Sequence, residues 1–245
     1  MRPILGRYEV VRQLGEGGGG AVYLVTDRFA DGKAVALKRI HDARDEILGG
    51  TLRREFQVLA ALRHPSLAEV YDFGEIGPGE DVPPGLFFTR EHIEGAPLLD
   101  ALTDATPERL ALVFVELARA LEPLHRSGLL HGDLKPQNVI VGEDTRVRLI
   151  DFGLARRQDG RESSGLGTIA YLAPEIAQGK PADVRSDLYA FGATLFHALT
   201  GQPPFTGSTV HEVIDKHVNA PPPAPTPARP ALAGPVFDRL AQVAL

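Results

Sequence analysis

The glycine-rich stretch over residues 15–20 constrains the fold of this chain more than any other feature. Five of the six residues in GEGGGG are glycine, and strand-like sequence flanks the run on both sides. Gly15, Gly17, Gly20 and Val22 match the pattern G-x-G-x-x-G-x-V, in which glycine lets main-chain N–H groups approach phosphates without an intervening Cβ. A dinucleotide-binding fold needs a helix after the glycines, whereas a second strand predicts a β-hairpin over a nucleotide.

Charge and composition narrow the range of partners. The 245 residues carry 26 basic and 32 acidic side chains without a dense lysine or arginine run, so general binding to nucleic acid is not expected. Cysteine is absent, which excludes disulfides, thiolate metal sites and cysteine nucleophiles. No apolar run reaches the ~18 residues that a membrane-spanning helix needs. We therefore expect a cytoplasmic protein, with no membrane segment in this chain, that recognises its partners locally.

The secondary-structure pattern changes near residue 95. Short β-branched or aromatic runs predict strands before this point, and one amphipathic helix, TLRREFQVLAALRH, interrupts them. From Leu98 onward the apolar spacing is helical, most clearly in ERLALVFVELARALEPLHRSG. The pattern predicts an α+β protein with a β-rich segment over residues 8–94, containing one main helix, and a helical segment over residues 95–245. A proline-rich stretch, residues 219–235, is interpreted as a surface loop before one more helix.

A lysine and a glutamate follow the glycine hairpin at positions that suit phosphate binding. Lys38 ends the strand-like segment AVALK, and Glu55 lies on the predicted amphipathic helix. An ion pair between them would aim the ammonium at the α- and β-phosphates of a nucleotide. Each residue alone is typical of a solvated surface charge, and it is their order after the hairpin that favours a functional interpretation.

The segments HGDLKPQN and DFG supply groups for phosphoryl transfer. Asn138 and Asp151 offer the oxygen ligands that Mg²⁺ prefers when nucleotide phosphates fill its other positions. Asp133 can accept the proton of a hydroxyl, and Lys135, two residues later, can steady the transferred group. In this order and spacing, the motifs predict transfer of a phosphoryl group from a nucleotide with bound Mg²⁺ or Mn²⁺.

Taken together, these motifs resemble those of the protein kinases, and most closely those of the bacterial serine/threonine kinases of eukaryotic type. The resemblance covers nearly all of the chain. It includes GTIAYLAPE, which is similar to the end of an activation segment, and SDLYAFGATLFHALTGQPPF, which is similar to the buried central helix of the helical lobe. It implies a bilobal kinase-like fold, ATP with a divalent metal, and proteins with serine or threonine acceptors as substrates.

The resemblance also implies roles for individual residues. Five would hold the adenine base: Val22, Ala36 and Ile140 on its faces, and main-chain groups of the hinge residues Glu91 and Ile93 along its edge. Thr168 would lie beside Asp133 and Lys135 in the acceptor site, and Asp187 would bind the backbone of the catalytic loop. Relatives continue to an arginine that pairs with the glutamate equivalent to Glu175, so we expect further sequence, and possible further domains, after Leu245.

Three positions depart from the family pattern. Gly132 stands where many members have arginine, Gly19 occupies a hairpin tip that is often aromatic, and Arg90 falls at the usually hydrophobic gatekeeper position behind the adenine. Two alternatives are open for Arg90: a gatekeeper that competes with Lys38 for acidic partners, or a side chain that faces solvent because the strand is misplaced by one residue. Without an arginine at position 132, we predict a kinase that does not depend on phosphorylation of its activation segment.

Two rival functions are open. HGD with a downstream asparagine also resembles small-molecule phosphotransferases of kinase-like fold, although those lack APE and a complete activation segment. The other rival is a pseudokinase that binds nucleotide or a partner without transferring phosphate. Only Arg90 favours it, because no catalytic residue is missing from the sequence.

Overall fold

Two compact units make up the chain, Met1–Ile93 and Glu94–Leu245. The computed structural model describes residues 3–17, 20–40, 53, 56–57, 59–151 and 169–225. An antiparallel sheet dominates the first unit and helices dominate the second, which confirms the α+β class expected from the sequence. The division between the units lies beside the boundary that the sequence places after residue 94. In the described ranges no helix is both long and apolar enough to cross a membrane.

The first unit is built on a five-stranded antiparallel sheet. Its strands have the order β1-β2-β3-β5-β4 and comprise β1 (Tyr8–Gly17), β2 (Gly20–Asp27), β3 (Lys33–Arg39), β4 (Val70–Ile76) and β5 (Gly85–Glu91). Between β3 and β4, the described residues 53, 56–57 and 59–61 are helical, as the apolar spacing of this segment predicts.

Alternation along β3 separates the core face of this sheet from the face that carries Lys38. Val35 and Leu37 are buried in a hydrophobic cluster with Tyr8, Ile76 and other side chains. Because successive strand residues point to opposite faces, Ala36 and Lys38 lie on the other side of the sheet. The core therefore fixes the direction in which the lysine projects.

Glycine is required by packing at one position of the β1–β2 hairpin. Gly20 has a φ of 136°, and a Cβ at this position would lie 1.9 Å from the main-chain oxygen of Arg39 on β3. A side chain at Gly15 or Gly17 would meet no described residue within 4 Å. Packing within the described structure thus accounts for the third glycine of the motif.

In the described part of the second unit, a small sheet is combined with five helices. The three-stranded sheet consists of β6 (Ala96–Pro97), β7 (Val139–Val141) and β8 (Val147–Leu149), and a 3-10 turn, Pro136–Asn138, leads into β7. The helices are α1 (Leu98–Ala101), α2 (Pro107–Arg126), α3 (Pro174–Ala177), α4 (Val184–Thr200) and α5 (Val210–Asn219).

Helix α4 is the buried central helix of this unit. A capping box begins it, since the Asp183 side chain accepts from main-chain N–H and the Ser186 hydroxyl accepts from the Asp183 N–H. The helix ends at Gly201, which has a left-handed φ of 77°. Ser186 also donates its hydroxyl to Glu175 Oε1 at 2.5 Å. Glu175, which the resemblance pairs with an arginine beyond Leu245, therefore has a partner within the described chain.

We expect the free energy of unfolding to decrease as the pH falls from 7 to 5, in part because of His217 on α5. The His217 side chain is 5% exposed, and its Nδ1 lies 2.6 Å from the Tyr189 hydroxyl. Burial lowers the pKa of His217 from 6.5 to about 4. Between these values the unfolded chain binds a proton that the folded chain does not, so stability that is present above pH 6.5 is lost as the pH falls toward 4.

Urea denaturation at the two pH values measures this effect. Of the total loss between pH 7 and pH 5, we attribute about 1–2 kcal/mol to His217, and the variant His217→Gln should lose correspondingly less. His211→Gln is the matched control, because His211 is exposed on the same helix. If His217→Gln shows the same pH dependence as the wild-type protein, the assignment to His217 is wrong.

Candidate active site

The carboxylate of Asp187 on α4 anchors the loop that contains HGD. Its Oδ2 accepts the main-chain N–H of His131 at 2.8 Å, and its Oδ1 accepts that of Gly132 at 3.0 Å. His125, in the last turn of α2, places Nε2 2.8 Å from the same Oδ2. Asp187 is 2% exposed, and these donors satisfy a buried charge that would otherwise be costly. Two helices and the loop are therefore joined at one carboxylate.

Gly132 adopts a backbone conformation that favours glycine. Its φ is 72°, in the left-handed region. This conformation lets its N–H point at Asp187 immediately after that of His131. The loop is thereby turned so that Asp133 follows the anchor directly.

His131 is a neutral, structural residue of this loop. Its side chain is fully buried, and burial lowers the pKa of His131. The Asp133 main-chain N–H lies 3.3 Å from His131 Nδ1, which therefore acts as the acceptor and leaves the ring proton on Nε2. The histidine supports the loop from inside and does not act as an acid or base.

Three of the predicted residues, Asp133, Lys135 and Asn138, lie together, with the last two bonded to Asp133. Lys135 Nζ lies 2.8 Å from Asp133 Oδ2, and Asn138 Nδ2 donates to the same oxygen at 2.9 Å and to the Asp133 carbonyl at 2.7 Å. The 3-10 turn that starts at Pro136 brings Asn138 back over Asp133. The Asp133 and Lys135 side chains are about one-fifth exposed, at 22% and 19%. The pair is thus held in place and is still accessible to a substrate.

Asn138 and Asp151 fit the requirements of a hard divalent cation. Both donor hydrogens of Asn138 Nδ2 face Asp133, which leaves the side-chain oxygen Oδ1 for a cation. Ile150 N–H donates to the Asn138 carbonyl at 3.0 Å, so Asp151, the next residue, emerges beside Asn138. Asp151 has a left-handed φ of 54°, a strained conformation for a residue with a side chain. An amide oxygen and a carboxylate are ligands that suit Mg²⁺.

In the first unit, Lys38 projects from the face of the sheet opposite the core. It pairs across strands with Val22 on β2 and Phe88 on β5, and its Nζ lies 6.0 Å from the centre of the Phe88 ring. Ala36, two residues earlier on the same face, is fully buried. Glu91 ends β5, and its N–H donates to the Glu69 carbonyl at 2.7 Å. Val22 and Ala36 therefore share one face with Lys38.

The alternative in which Arg90 faces solvent is wrong. Arg90 is 5% exposed and lies directly opposite Ala36 in the β3–β5 register. Residues opposite each other in an antiparallel pair project to the same face, so Arg90 shares the face of Ala36 and Lys38. The displacement by one residue that this alternative requires does not occur.

The sequence analysis gave no role to His125. His125 follows buried Leu124 in α2, and the helical pattern does not indicate that its ring reaches Asp187, 62 residues away.

Some predicted residues lie outside the described ranges. These are Glu55, Thr168, Gly19 and the predicted helix over residues 236–245. Ile140, predicted to contact adenine, lies in the middle of β7 and is partly exposed.

A model of the family described as "Protein kinase domain" matches residues 8–227. The chain is 36% identical over 235 residues to a probable serine/threonine-protein kinase of Corynebacterium efficiens, a match that covers 91% of this chain and 35% of the relative. It is 40% identical to the DNA damage-responsive serine/threonine-protein kinase RqkA of Deinococcus radiodurans, with 99% of this chain and 36% of the relative covered.

A third relative gives the same result. The chain is 37% identical over 231 residues to the serine/threonine-protein kinase PknB of Mycobacterium tuberculosis, with 90% of this chain and 36% of that protein covered. The chain spans about a third of the length of each of these curated relatives.

Proposed function

The chain belongs to the protein kinase family, in its bacterial serine/threonine branch of eukaryotic type, and on this premise we propose that it transfers the terminal phosphoryl group of ATP to serine or threonine hydroxyls of proteins. The observation that carries the proposal is the arrangement of Lys135 and Asn138 on one carboxylate oxygen of Asp133. This arrangement supplies a proton acceptor, a cation and a metal ligand within one short loop. A substrate hydroxyl needs these groups for in-line attack on a phosphoryl group.

Asp133 orients the acceptor and receives its proton. Lys135 and Asn138 both bond Oδ2, so Oδ1 is the carboxylate oxygen that these two neighbours leave for the incoming hydroxyl. The Lys135 ammonium, 2.8 Å from Oδ2, places positive charge where the transferred phosphoryl oxygens accumulate negative charge. Asn138 and Asp151 would hold Mg²⁺, which neutralises phosphate charge when bound.

The first unit supplies groups for the nucleotide. Main-chain N–H groups at Gly15 and Gly17 would cover the phosphates, and among the described residues no packing requires glycine at either position. Lys38 would bind the α- and β-phosphates, paired with Glu55. Val22 and Ala36 would contact the base, with Glu91 and Ile93 at its edge, and Ile140 is the further residue that the resemblance assigns to the base. Thr168 would lie next to the acceptor hydroxyl.

Incubation with radiolabelled ATP and Mg²⁺ tests the proposal. We expect labelled phosphoserine or phosphothreonine on a generic protein substrate such as casein, and none when Asp133 is replaced by asparagine. A pseudokinase would bind nucleotide and label nothing, whereas a small-molecule kinase would label an amino alcohol or aminoglycoside and leave protein unlabelled. Either result would contradict transfer to proteins.

Activity should not depend on phosphorylation of the segment RRQDGRESSGLGT. Gly132 has no side chain with which to bind a phosphate, so we expect a phosphate on Ser163 or Ser164 to find no arginine in the loop that contains HGD, and to interact with the arginines of its own segment through solvent-screened contacts. After phosphatase treatment, we expect wild-type protein and the Ser163→Ala/Ser164→Ala double variant to differ less than tenfold in kcat/KM, equivalent to ~1.4 kcal/mol. A larger loss of activity would overturn this proposal about regulation. Control through the nucleotide site would replace such phosphorylation.

A further inference from the structure

Two tyrosine–histidine pairs join α4 to the segment over residues 169–173 and to α5. The Tyr171 hydroxyl lies 2.6 Å from Nδ1 of His197, in the last turn of α4, and the two rings stack with 13° between their planes. The Tyr189 hydroxyl, on α4, lies 2.6 Å from Nδ1 of His217 on α5. Among the described residues, neither hydroxyl has another hydrogen-bond partner.

In each pair the tyrosine donates and the histidine accepts. Burial raises the pKa of Tyr171 to about 12 and lowers the pKa of His197. Burial also raises the pKa of Tyr189 and lowers the pKa of His217 to about 4. At neutral pH each phenol therefore keeps its proton and each ring is uncharged, so a bare Nδ1 can accept the hydroxyl. Removal of the acceptor would leave a buried hydroxyl unsatisfied, which is costly.

His217 also lies against the main chain of the segment 169–173. Its side chain is 5% exposed and packs edge-on to the Phe205 ring, with the ring centres 4.9 Å apart. The main-chain carbonyl groups of Ile169 and Ala170 face the imidazole, although neither makes a hydrogen bond of normal geometry with Nε2. The ring therefore packs between the Tyr189 hydroxyl and the start of the segment.

The segment 169–173 forms a wall of the cavity that contains Asp133. Tyr171, Leu172 and Ala173 line this cavity together with Gly132 and Asp133. The proposed function makes Asp133 the group that receives the proton of the acceptor hydroxyl. The position of the wall therefore limits where that hydroxyl can lie relative to the carboxylate.

Helix α4 holds both sides of this cavity. Near its start, Asp187 binds the main-chain N–H groups of His131 and Gly132, in the loop that leads to Asp133. Near its end, His197 binds Tyr171 of the wall. A helix is a more exact support for a site than a loop is, so the distance between the two sides is set by one element.

We propose that His197 and His217 are positioning residues, which hold the segment 169–173 so that the hydroxyl of a protein acceptor reaches Asp133. The inference rests on the proposed function, because it takes Asp133 as the proton acceptor. The histidines act through Tyr171 and Tyr189. Their loss therefore weakens the use of a protein acceptor. It leaves the binding of the nucleotide unchanged, because the proposed function assigns the base and most of the phosphate contacts to the first unit.

Steady-state kinetics with casein and radiolabelled ATP test this assignment. We expect His197→Leu to raise the KM for casein about tenfold or more and to change the KM for ATP by less than about twofold. His197→Asn should recover most of this loss, because its side-chain oxygen can accept the Tyr171 hydroxyl. His211→Leu is the matched control, because His211 is exposed on α5, and it should retain both wild-type values.

Double variants show whether each pair acts through its bond. Tyr171→Phe should raise the KM for casein as His197→Leu does. The two substitutions together should cost no more than the larger single effect, since both remove the same hydrogen bond. Tyr189→Phe and His217→Leu test the second pair in the same way.

The outcomes separate this inference from the function on which it rests. If the leucine variants melt at lower temperature but keep the wild-type KM for casein, the histidines only stabilise the fold and the inference is wrong. Equal increases in the KM for casein and for ATP would also overturn it. Wild-type protein that labels no casein would contradict the proposed function, and the inference with it. Tyr171→Phe removes a single oxygen atom, so its KM for casein decides the question even if the histidine variants do not fold.

Discussion

The Asp133→Asn variant is expected to lose phosphoryl transfer to protein by about a thousandfold or more in kcat. The amide has the size and shape of the carboxylate, so the loop and its hydrogen bonds to Asp187 should persist. It cannot accept a proton, and it removes the negative charge that pairs with Lys135 Nζ at 2.8 Å. Transfer of labelled phosphate to a protein substrate under saturating ATP measures the loss.

A matched control separates this effect from general damage. Asp104 is exposed in the same unit, between α1 and α2, and Asp104→Asn should retain wild-type turnover. Nucleotide affinity should also survive in Asp133→Asn, because the phosphate-binding groups are elsewhere. Turnover within tenfold of wild type in Asp133→Asn would remove the role assigned to this carboxylate.

Replacement of Lys38 by methionine is expected to reduce kcat/KM by about a thousandfold, because the reaction depends on the positions and charges of the phosphates. Methionine preserves most of the aliphatic length that crosses the face beside Phe88, so the sheet should fold normally. Only the ammonium is lost. Steady-state kinetics together with thermal denaturation distinguish a chemical defect from an unfolded protein.

Lys33→Met provides the comparison for this lysine. Lys33 begins the same strand, is exposed, and donates its ammonium to the Tyr71 hydroxyl at 2.9 Å. Its replacement removes the same charge from β3 at a position far from Phe88, and turnover should stay near the wild-type value. If both variants lose activity to a similar extent, any positive charge on β3 supports the reaction, and Lys38 has no special role.

Local patterns predicted the elements that position the site. The strand-like segment AVALK predicted the strand that carries Lys38, and the glycines before a second strand predicted the hairpin formed by β1 and β2. The segment HGDLKPQN predicted that Asp133, Lys135 and Asn138 serve the same reaction, and all three lie within six consecutive residues. These features are formed by residues that are close in the sequence, so the local sequence pattern is enough to predict them.

Contacts between distant residues were not predictable in the same way. His125 reaches Asp187 across 62 residues, and the buried Ser186 hydroxyl, which accepts the Asp183 N–H at the start of α4, donates to Glu175. The orientation of Arg90 was open for a related reason: a shift of one residue in strand register reverses the face of every side chain. The register between β3 and β5 shows on which face Arg90 lies, and the propensities of the local sequence do not determine this face.

The left-handed conformation of Gly132, with its φ of 72°, bears on how this protein can evolve. A single base change converts a glycine codon to an arginine codon, so a loop with arginine at this position is one mutational step away. A side chain in this conformation costs about 1–2 kcal/mol, a modest part of the ~5–15 kcal/mol by which a typical domain is stable. Folding therefore tolerates both residues. The small loss in folding free energy therefore does not prevent the change. Selection on signalling then decides whether a lineage gains or loses control through a phosphorylated segment.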